Sequence, residues 1–184
     1  MADGVFEALV LTPEAELLHA DARSVVLRSS DGDLTVLDGH TPLITDVMPG
    51  DVRVDPAEGD AVHLAVHGGY MQVESGEGVG GAEGRATRVT LLAGTAELAV
   101  DIDAARAERA RSEAEAKVEQ LRASTGRSGG AGGGAGPGAR GAAAGGEPAT
   151  GEPAPVTPEE IELAEAEAAL RRAQVRLEVA GAAT

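Results

Sequence analysis

The sequence has no cysteine and almost no aromatic side chains. Its 184 residues include no tryptophan, one phenylalanine and one tyrosine. Without cysteine, the chain can form neither a disulfide nor a thiolate metal site, and it has no thiol nucleophile. Because aromatic rings are so few, the core has to be built from valine, leucine, isoleucine and alanine, which bury less area per residue. The sequence therefore predicts a small core of moderate stability.

Positive charge and long hydrophobic runs are also scarce. The formal net charge is −16 at pH 7, which argues against nucleic acid as a partner, because phosphate backbones attract basic surfaces. No run of about 18 apolar residues occurs, so we expect no membrane-spanning segment. The first residues lack the basic and apolar regions of a secretory signal peptide. These features predict a soluble, intracellular protein.

Residues 4 to about 93 have the pattern of an all-β unit, which we assign to a domain covering residues 1–95. Short apolar runs recur about every ten residues and are separated by Gly- and Pro-containing turns. The runs are Val5–Val10, Ser24–Leu27, Leu34–Leu37, Val52–Val54, Val62–Val66, Tyr70–Val73 and Arg88–Leu92. Many short strands at this spacing predict a flattened antiparallel β-sandwich or barrel.

A glycine-rich segment, residues 75–87, separates the last two of these runs. Gly76, Gly78 and Gly81 match the glycine spacing of a dinucleotide-binding loop. However, no helix-forming run follows them and no βαβ unit surrounds them, so the match carries little weight. We interpret the segment as an enlarged hairpin loop.

Residues 96–180 predict two helices joined by a linker. The first helix covers about residues 101–123, and Asp101 is in position to cap it. Residues 124–156 consist of little besides Gly, Ala, Pro and Ser, and such a composition predicts a flexible linker. The second helix covers about residues 157–180.

Both helices have features that favour an antiparallel hairpin, giving an α+β fold class overall. Thr157, Pro158 and Glu160 form the capping box and first turn of the second helix. Each helix carries an apolar stripe at steps of three and four residues. The stripes are Ala107, Ala110, Ala114, Val118 and Leu121 in the first helix, and Leu163, Ala166, Leu170, Ala173, Leu177 and Ala180 in the second. Their small side chains allow the two helices to pack closely.

Five charged residues near the predicted hairpin are candidates for a nucleotide site. These are Glu97, Asp103, Arg106, Arg172 and Arg176. Guanidinium groups match the geometry of phosphate oxygens, so two carboxylates and three arginines on adjacent helices form a plausible cage for a phosphate and a ribose. The alternative is a solvated ion-pair network that pins the hairpin, in which each pair contributes about 0–1 kcal/mol. No glycine loop ending in Lys-Ser/Thr occurs, so hydrolysis by this chain is not expected.

The segment around His40 is more apolar than a surface loop requires. Leu37, His40, Thr41, Pro42, Leu43 and Ile44 are candidate interface residues. Leu34 and its neighbours can equally belong to the core, because an apolar patch indicates an interface only where it is exposed. His40 has no ligand spacing with the other histidines, so we predict neither a metal site nor a catalytic role for it.

Four local strings together resemble the ε subunit of F-type ATP synthases. They are Asp38–Ile44, Met48–Val54, His67–Val73 and Ile102–Ala107. The last string fits the family's helix-start pattern, Ile/Leu-Asp-x-x-Arg-Ala. The resemblance covers residues 4–123 and 157–180. The sequence departs from the family in its linker, which replaces a tight turn, and in its longer glycine-rich loop.

The resemblance implies a non-catalytic subunit of the central rotor stalk, peripheral to the cytoplasmic face of a bacterial plasma membrane. The sandwich is expected to dock on the γ subunit and the c-ring. The hairpin is expected either to fold against the sandwich or to extend along γ into the catalytic α/β hexamer and block ATP hydrolysis. In some bacterial members ATP binds the folded hairpin, and the positions of that site correspond to the five charged residues. No obligatory cofactor and no metal are implied, and ATP is a possible regulatory ligand.

Two other functions stay open at this stage. The same charges could serve a stand-alone nucleotide-sensing module, and stable binding to γ would argue against that hypothesis. An acid–base hydrolase using carboxylates and His40 would need a pair of carboxylates converging in a pocket, and the sequence shows none.

Overall fold

The structure is a computed structural model that describes residues 4–76, 79, 87–128 and 157–182. Nine strands lie within these residues, followed by a short 3-10 helix and two long α-helices. The strands are β1 (Phe6–Leu11), β2 (Glu16–Ser29), β3 (Gly32–Leu37), β4 (Leu43–Val47), β5 (Gly50–Pro56), β6 (Val62–Val66), β7 (Gly69–Ser75), β8 (Thr87–Ala93) and β9 (Ala96–Leu98). The 3-10 helix is Ala99–Asp101, and the α-helices are α1 (Ala104–Ser128) and α2 (Pro158–Ala182).

The strands form one folded-over sheet in the order β4-β7-β8-β1-β2-β5-β6-β9, with β3 also paired to β2. The 14-residue strand β2 pairs first with β1 and then with β3 along one edge, while β5 lies on its other edge. This architecture confirms the predicted α+β fold class. One detail differs, because β1 pairs with β8 in parallel, with Glu7 opposite Arg88. Because β1 and β8 are far apart in the chain, no tight hairpin forces them to be antiparallel. The apolar pattern of a strand also does not show in which direction its partner runs.

The core lies between the two layers of the sandwich. Alternate side chains of β1 point inward, as the two-residue period of a strand requires. The largest fully buried side chains of the sandwich include Phe6, Leu64, Met71 and Leu91. At Gly69 the backbones of β7 and β8 come so close that a Cβ would collide with the carbonyl oxygen of Leu92. Glycine is therefore needed where β7 begins.

Helix α1 begins later than predicted. Asp103, and not Asp101, caps the helix, because its Oδ1 accepts a hydrogen bond of 2.9 Å from the N–H of Arg106. Asp101 lies in the preceding 3-10 helix. Either aspartate has a side chain that can cap a helix. The 3-10 helix that ends at Asp101 precedes the start of α1, so Asp103 takes the cap position. The helix also continues to Ser128, beyond the predicted end at residue 123.

Helix α2 begins as predicted with a capping box. The N–H of Thr157 donates to Glu160 Oε2 at 2.8 Å, and the N–H of Glu160 donates to Thr157 Oγ1 at 3.3 Å. Two backbone donors that the helix itself leaves unpaired are satisfied in this way. The helix ends at Ala182, close to the predicted boundary.

The helices pack side by side in antiparallel order, as the pairing of Arg122 with Glu167 at 2.7 Å and the proximity of Arg106 to Arg176 show. Their buried contact residues include Ala107, Ala114, Val118, Ala166 and Ala173. Ala110 of the predicted stripe is exposed instead. A second apolar line on α2, absent from the predicted stripe, faces the sandwich: Val175 and Val179 cluster with Ala65, Ala99 and Ile102. The hairpin is therefore docked on the sheet.

Parts of two predicted segments lie outside the described residues. Of the linker at residues 124–156, residues 124–128 extend α1 and the remainder is not described. Of the glycine-rich loop at residues 75–87, residues 77, 78 and 80–86 are not described. Within the part of the chain that the structure describes, no helix is long and apolar enough to cross a membrane.

Candidate functional site

An ion pair joins the sandwich to the helical hairpin. Glu97 lies on β9, opposite Ala65 of β6, and Arg176 lies on α2. Arg176 Nε lies 3.2 and 3.1 Å from the two carboxylate oxygens of Glu97, and its Nη2 also donates to Oε1. The side chain of Glu97 is 35% exposed and that of Arg176 is 28% exposed, so the pair is partly shielded from water. This forked geometry is the stronger form of a charge-assisted hydrogen bond.

The surroundings of Glu97 keep it ionised. The hydrogen bond from Arg176 lowers the pKa of the Glu97 carboxyl most, while partial burial opposes the shift. The positive charge of Arg176 adds to the lowering, with smaller contributions from His67 and Arg106. Glu97 is therefore a carboxylate at neutral pH, because its pKa lies below the ordinary glutamate value of 4.5.

A cleft of about 250 Å³ opens beside this ion pair. Its lining residues are Glu97, Asp101, Ile102, Asp103, Arg106, Ala107, Ala110 and Arg176. The wall thus combines carboxylates, two guanidinium groups and small apolar side chains. Its volume is slightly below the range of roughly 300–1,000 Å³ that is usual for small-molecule sites. A cleft of this size is suited to a small charged group rather than to a whole drug-sized molecule.

Four of the five predicted charged residues meet at this cleft, and Arg172 does not. Arg172 lines a neighbouring groove between the helices, together with Lys117, Glu165 and Ala166. Glu97 and Arg176 neutralise each other, whereas neither Arg106 nor Arg172 forms an ion pair with a described residue. Arg106 is therefore the lining cation that remains available for an anion.

His67 is a residue of this region that the sequence did not indicate. Its N–H donates to the carbonyl of Thr95 at 3.0 Å, which places it beside β9. Burial lowers the pKa of its imidazole most, and the positive charge of Arg176 lowers it further. Glu97 opposes the shift, and Arg172 adds a smaller lowering. Its position before two glycines carries no pattern that would have predicted this environment.

The candidate interface residues divide between core and surface. Leu34 and Leu43 pack against the core, whereas Leu37 and Ile44 are 54% and 72% exposed. His40 is half-buried, with Nδ1 2.8 Å from the carbonyl oxygen of Thr41, and Thr41 and Pro42 are exposed.

Ile44 belongs to a larger apolar area on the outside of three neighbouring strands. Tyr70 on β7 is 64% exposed and lies directly opposite Leu92 on β8, which is 51% exposed. Ile44 on β4 lies diagonally beside Tyr70, because its partner Gln72 is two residues further along β7. Ile44, Tyr70 and Leu92 are called the outer patch below.

The fold and the sequence define the class of this protein. The family of the ATP synthase Delta/Epsilon chain β-sandwich domain matches residues 6–99, which include all nine strands. The chain belongs to this family, and more particularly to the ATP synthase epsilon chains, as its relatives show. It is therefore a non-catalytic component of an ATP synthase, and its processes are ATP synthesis and proton transport.

Two relatives and one solved structure illustrate the similarity. The ATP synthase epsilon chain of Desulforudis audaxviator is 38% identical over 118 residues, covering 64% of this chain and 77% of the relative. That of Polynucleobacter necessarius is 37% identical over 106 residues, covering 58% and 69%. A chain of the Euglena gracilis mitochondrial ATP synthase superposes with a TM-score of 0.61 at 16% identity, covering 98% of this chain and 82% of that one. This last similarity concerns the fold alone.

Proposed function

We propose that this chain is a subunit of the central rotor stalk that couples the γ subunit to the c-ring, and that its hairpin restrains ATP hydrolysis. The observation that carries the proposal is the way α2 is docked. A small cluster around Val175 and Val179 and the Glu97–Arg176 pair join it to the sandwich. An interface of this size is held by a few kcal/mol, so that docked and released states of the hairpin are both accessible.

We propose that ATP is a regulatory ligand of the cleft between β9, α1 and α2. Arg106 supports this proposal because it lines the cleft without a described carboxylate partner. Asp103 and Glu97 are acceptors suited to ribose hydroxyl groups, and arginines are suited to phosphates. A ligand that contacts the sandwich and both helices at once binds the docked state better than the released one. It therefore shifts the hairpin toward docking.

The outer patch supports docking of the sandwich on a protein partner. Three large apolar side chains are exposed on adjacent strands, although the same side chains would be stabilised by burial. We propose the γ subunit as the partner at this patch, and the predicted interface around Leu37 and His40–Ile44 as a contact with γ or the c-ring. Association with the membrane then takes place through the complex, at the cytoplasmic face of a bacterial plasma membrane.

The experiment that tests the proposal measures ATP hydrolysis by a catalytic head that contains γ but lacks this subunit. The head is reconstituted with the full chain or with residues 1–100. The shorter chain keeps every residue of the sandwich core. We expect both to bind γ and only the full chain to slow hydrolysis, because only the full chain carries the hairpin. If both bind and neither slows hydrolysis, the inhibitory role is wrong. If neither binds, the coupling role is wrong and the stand-alone nucleotide-sensing module becomes the better hypothesis.

A further inference from the structure

The imidazole of His67 lies at the junction of the sandwich and the hairpin. Both ring nitrogens are shielded from solvent, and neither has a partner among the described residues. A shielded polar group without a partner costs free energy, because it gives up its hydrogen bonds to water and gains none in return. An apolar side chain would avoid this cost, so the histidine invites a functional explanation.

The charged groups around His67 come from two elements. Helix α2 contributes Arg176 and Arg172, and β9 contributes Glu97. Two positive charges therefore oppose one negative charge, and that carboxylate is already engaged by the fork of Arg176. A proton added to His67 places a third positive charge in a partly dehydrated site, which is unfavourable. Release of α2 removes both arginines and part of the cover, while Glu97 stays beside the ring on β9.

We propose that His67 is a pH-sensitive release point of the hairpin: protonation of its imidazole, whose shielded nitrogens have no partner among the described residues and which faces Arg172 and Arg176, weakens the docking of α2 on the sandwich. This inference rests on the docked and released hairpin states of the proposed function. Its new content is the residue and the direction in which pH acts.

The direction follows from proton linkage. In the docked state the pKa of His67 is below its ordinary value of 6.5, so the docked state binds fewer protons than the released one. Docking is therefore at full strength above pH 6.5. Below it, the docking equilibrium weakens by up to about tenfold per pH unit, until the docked state also takes up the proton. Glu97 acts in the same direction, but only near and below its ordinary pKa of 4.5, so the two effects are separated.

The first test follows docking in the full chain by energy transfer between two dyes. The chain has no cysteine, so Asp60→Cys and Glu178→Cys, both at exposed positions, provide unique labelling sites on the sandwich and on α2. We expect the released fraction to increase between pH 7.5 and 5.5, and the His67→Gln variant to lose this response. His63→Gln is the matched control, because His63 lies on β6, four residues before His67 in the chain, but pairs with Asp51 at 2.8 Å. It should retain the response.

The second test is an NMR titration of His67 in the unsubstituted chain, which decides the matter even if His67→Gln fails to dock. An imidazole pKa clearly below 6.5 supports the proposal. A pKa at or above 6.5 while α2 is docked overturns it, as does a released fraction that is independent of pH or that responds equally in His67→Gln. Both tests use the chain without ATP and without the rest of the synthase. A failure of ATP binding or of inhibition therefore leaves their outcome unchanged.

Discussion

Among single residues, the cleft contrasts one arginine that is neutralised with another that is not. Arg176 is bound by Glu97 in a forked ion pair, whereas Arg106 lines the same cleft without a described acidic partner. The N–H of Arg106 is used by the cap of α1, which fixes the backbone and leaves the guanidinium group available. An anion entering the cleft therefore meets Arg106 without first having to break an ion pair with any of the described residues.

Substitution of Arg106 should weaken ATP binding without unfolding the chain. A charge-assisted hydrogen bond contributes roughly 1.5–3 kcal/mol, so we expect Arg106→Ala to raise the Kd for ATP by about tenfold or more in a calorimetric titration. The control is Arg109→Ala, one turn further along α1 at an exposed position outside the cleft, which should leave the Kd unchanged. An identical titration curve for Arg106→Ala and the unsubstituted chain would remove Arg106 from the site.

The spacing of the charged residues in the sequence predicted most, but not all, of the lining of this cleft. Charged residues near the two helices were predicted to come together, and the packed hairpin brings four of them to one cleft. They are Glu97, Asp103, Arg106 and Arg176. Arg172 lies on the same face of α2 as Arg176, but it is displaced by one turn, about 6 Å along the helix axis, and there it lines the next groove. The environment of His67 depends on a helix more than 100 residues away in the chain, and no local pattern encodes such a contact.

At the scale of elements, α2 has two apolar faces with different partners. Ala166 and Ala173 pack against α1, and Val175 and Val179 pack against the sandwich. The sequence predicted the first face because alanine and leucine recur at heptad spacing. It missed the second because two valines among charged residues form no stripe of their own, and their partners Ala65 and Ala99 are themselves small. The capping box was predictable because all of its parts lie within four residues.

Loss of one valine on the second face should release α2 from the sandwich. Val179 is 0% exposed, and Val179→Ala removes two methyl-sized groups, which costs about 2 kcal/mol. We expect faster hydrogen exchange along α2 at neutral pH, with little change in the core strands β1 and β8. Val100→Ala is the matched control, because Val100 is 86% exposed and the same truncation there removes no buried contact. Equal exchange in both variants would mean that this cluster does not hold the helix.

At the scale of the whole molecule, the outer patch and the docked hairpin lie on different strands of the sheet. The hairpin contacts the sandwich beside β5, β6 and β9, while the outer patch lies on β4, β7 and β8 at the other end of the strand order. Docking of the sandwich on a partner through the outer patch therefore leaves α2 free to dock or to be released. The function proposed above, a rotor subunit with a movable regulatory hairpin, requires this separation.

Removal of the outer patch should weaken binding to γ and leave the hairpin docked. Ile44 and Tyr70 are 72% and 64% exposed, so the double variant Ile44→Ser, Tyr70→Ser should fold normally. A tyrosine at the centre of an interface can contribute about 2 kcal/mol or more by itself, so we expect the Kd for γ to rise by at least about 30-fold. The control is Ile161→Ser, an equally apolar and half-exposed position on α2, which should bind γ as the unsubstituted chain does. If the double variant binds γ normally and Ile161→Ser does not, the contact with γ lies on the hairpin. The proposed separation of the γ-binding patch from the movable hairpin would then be wrong.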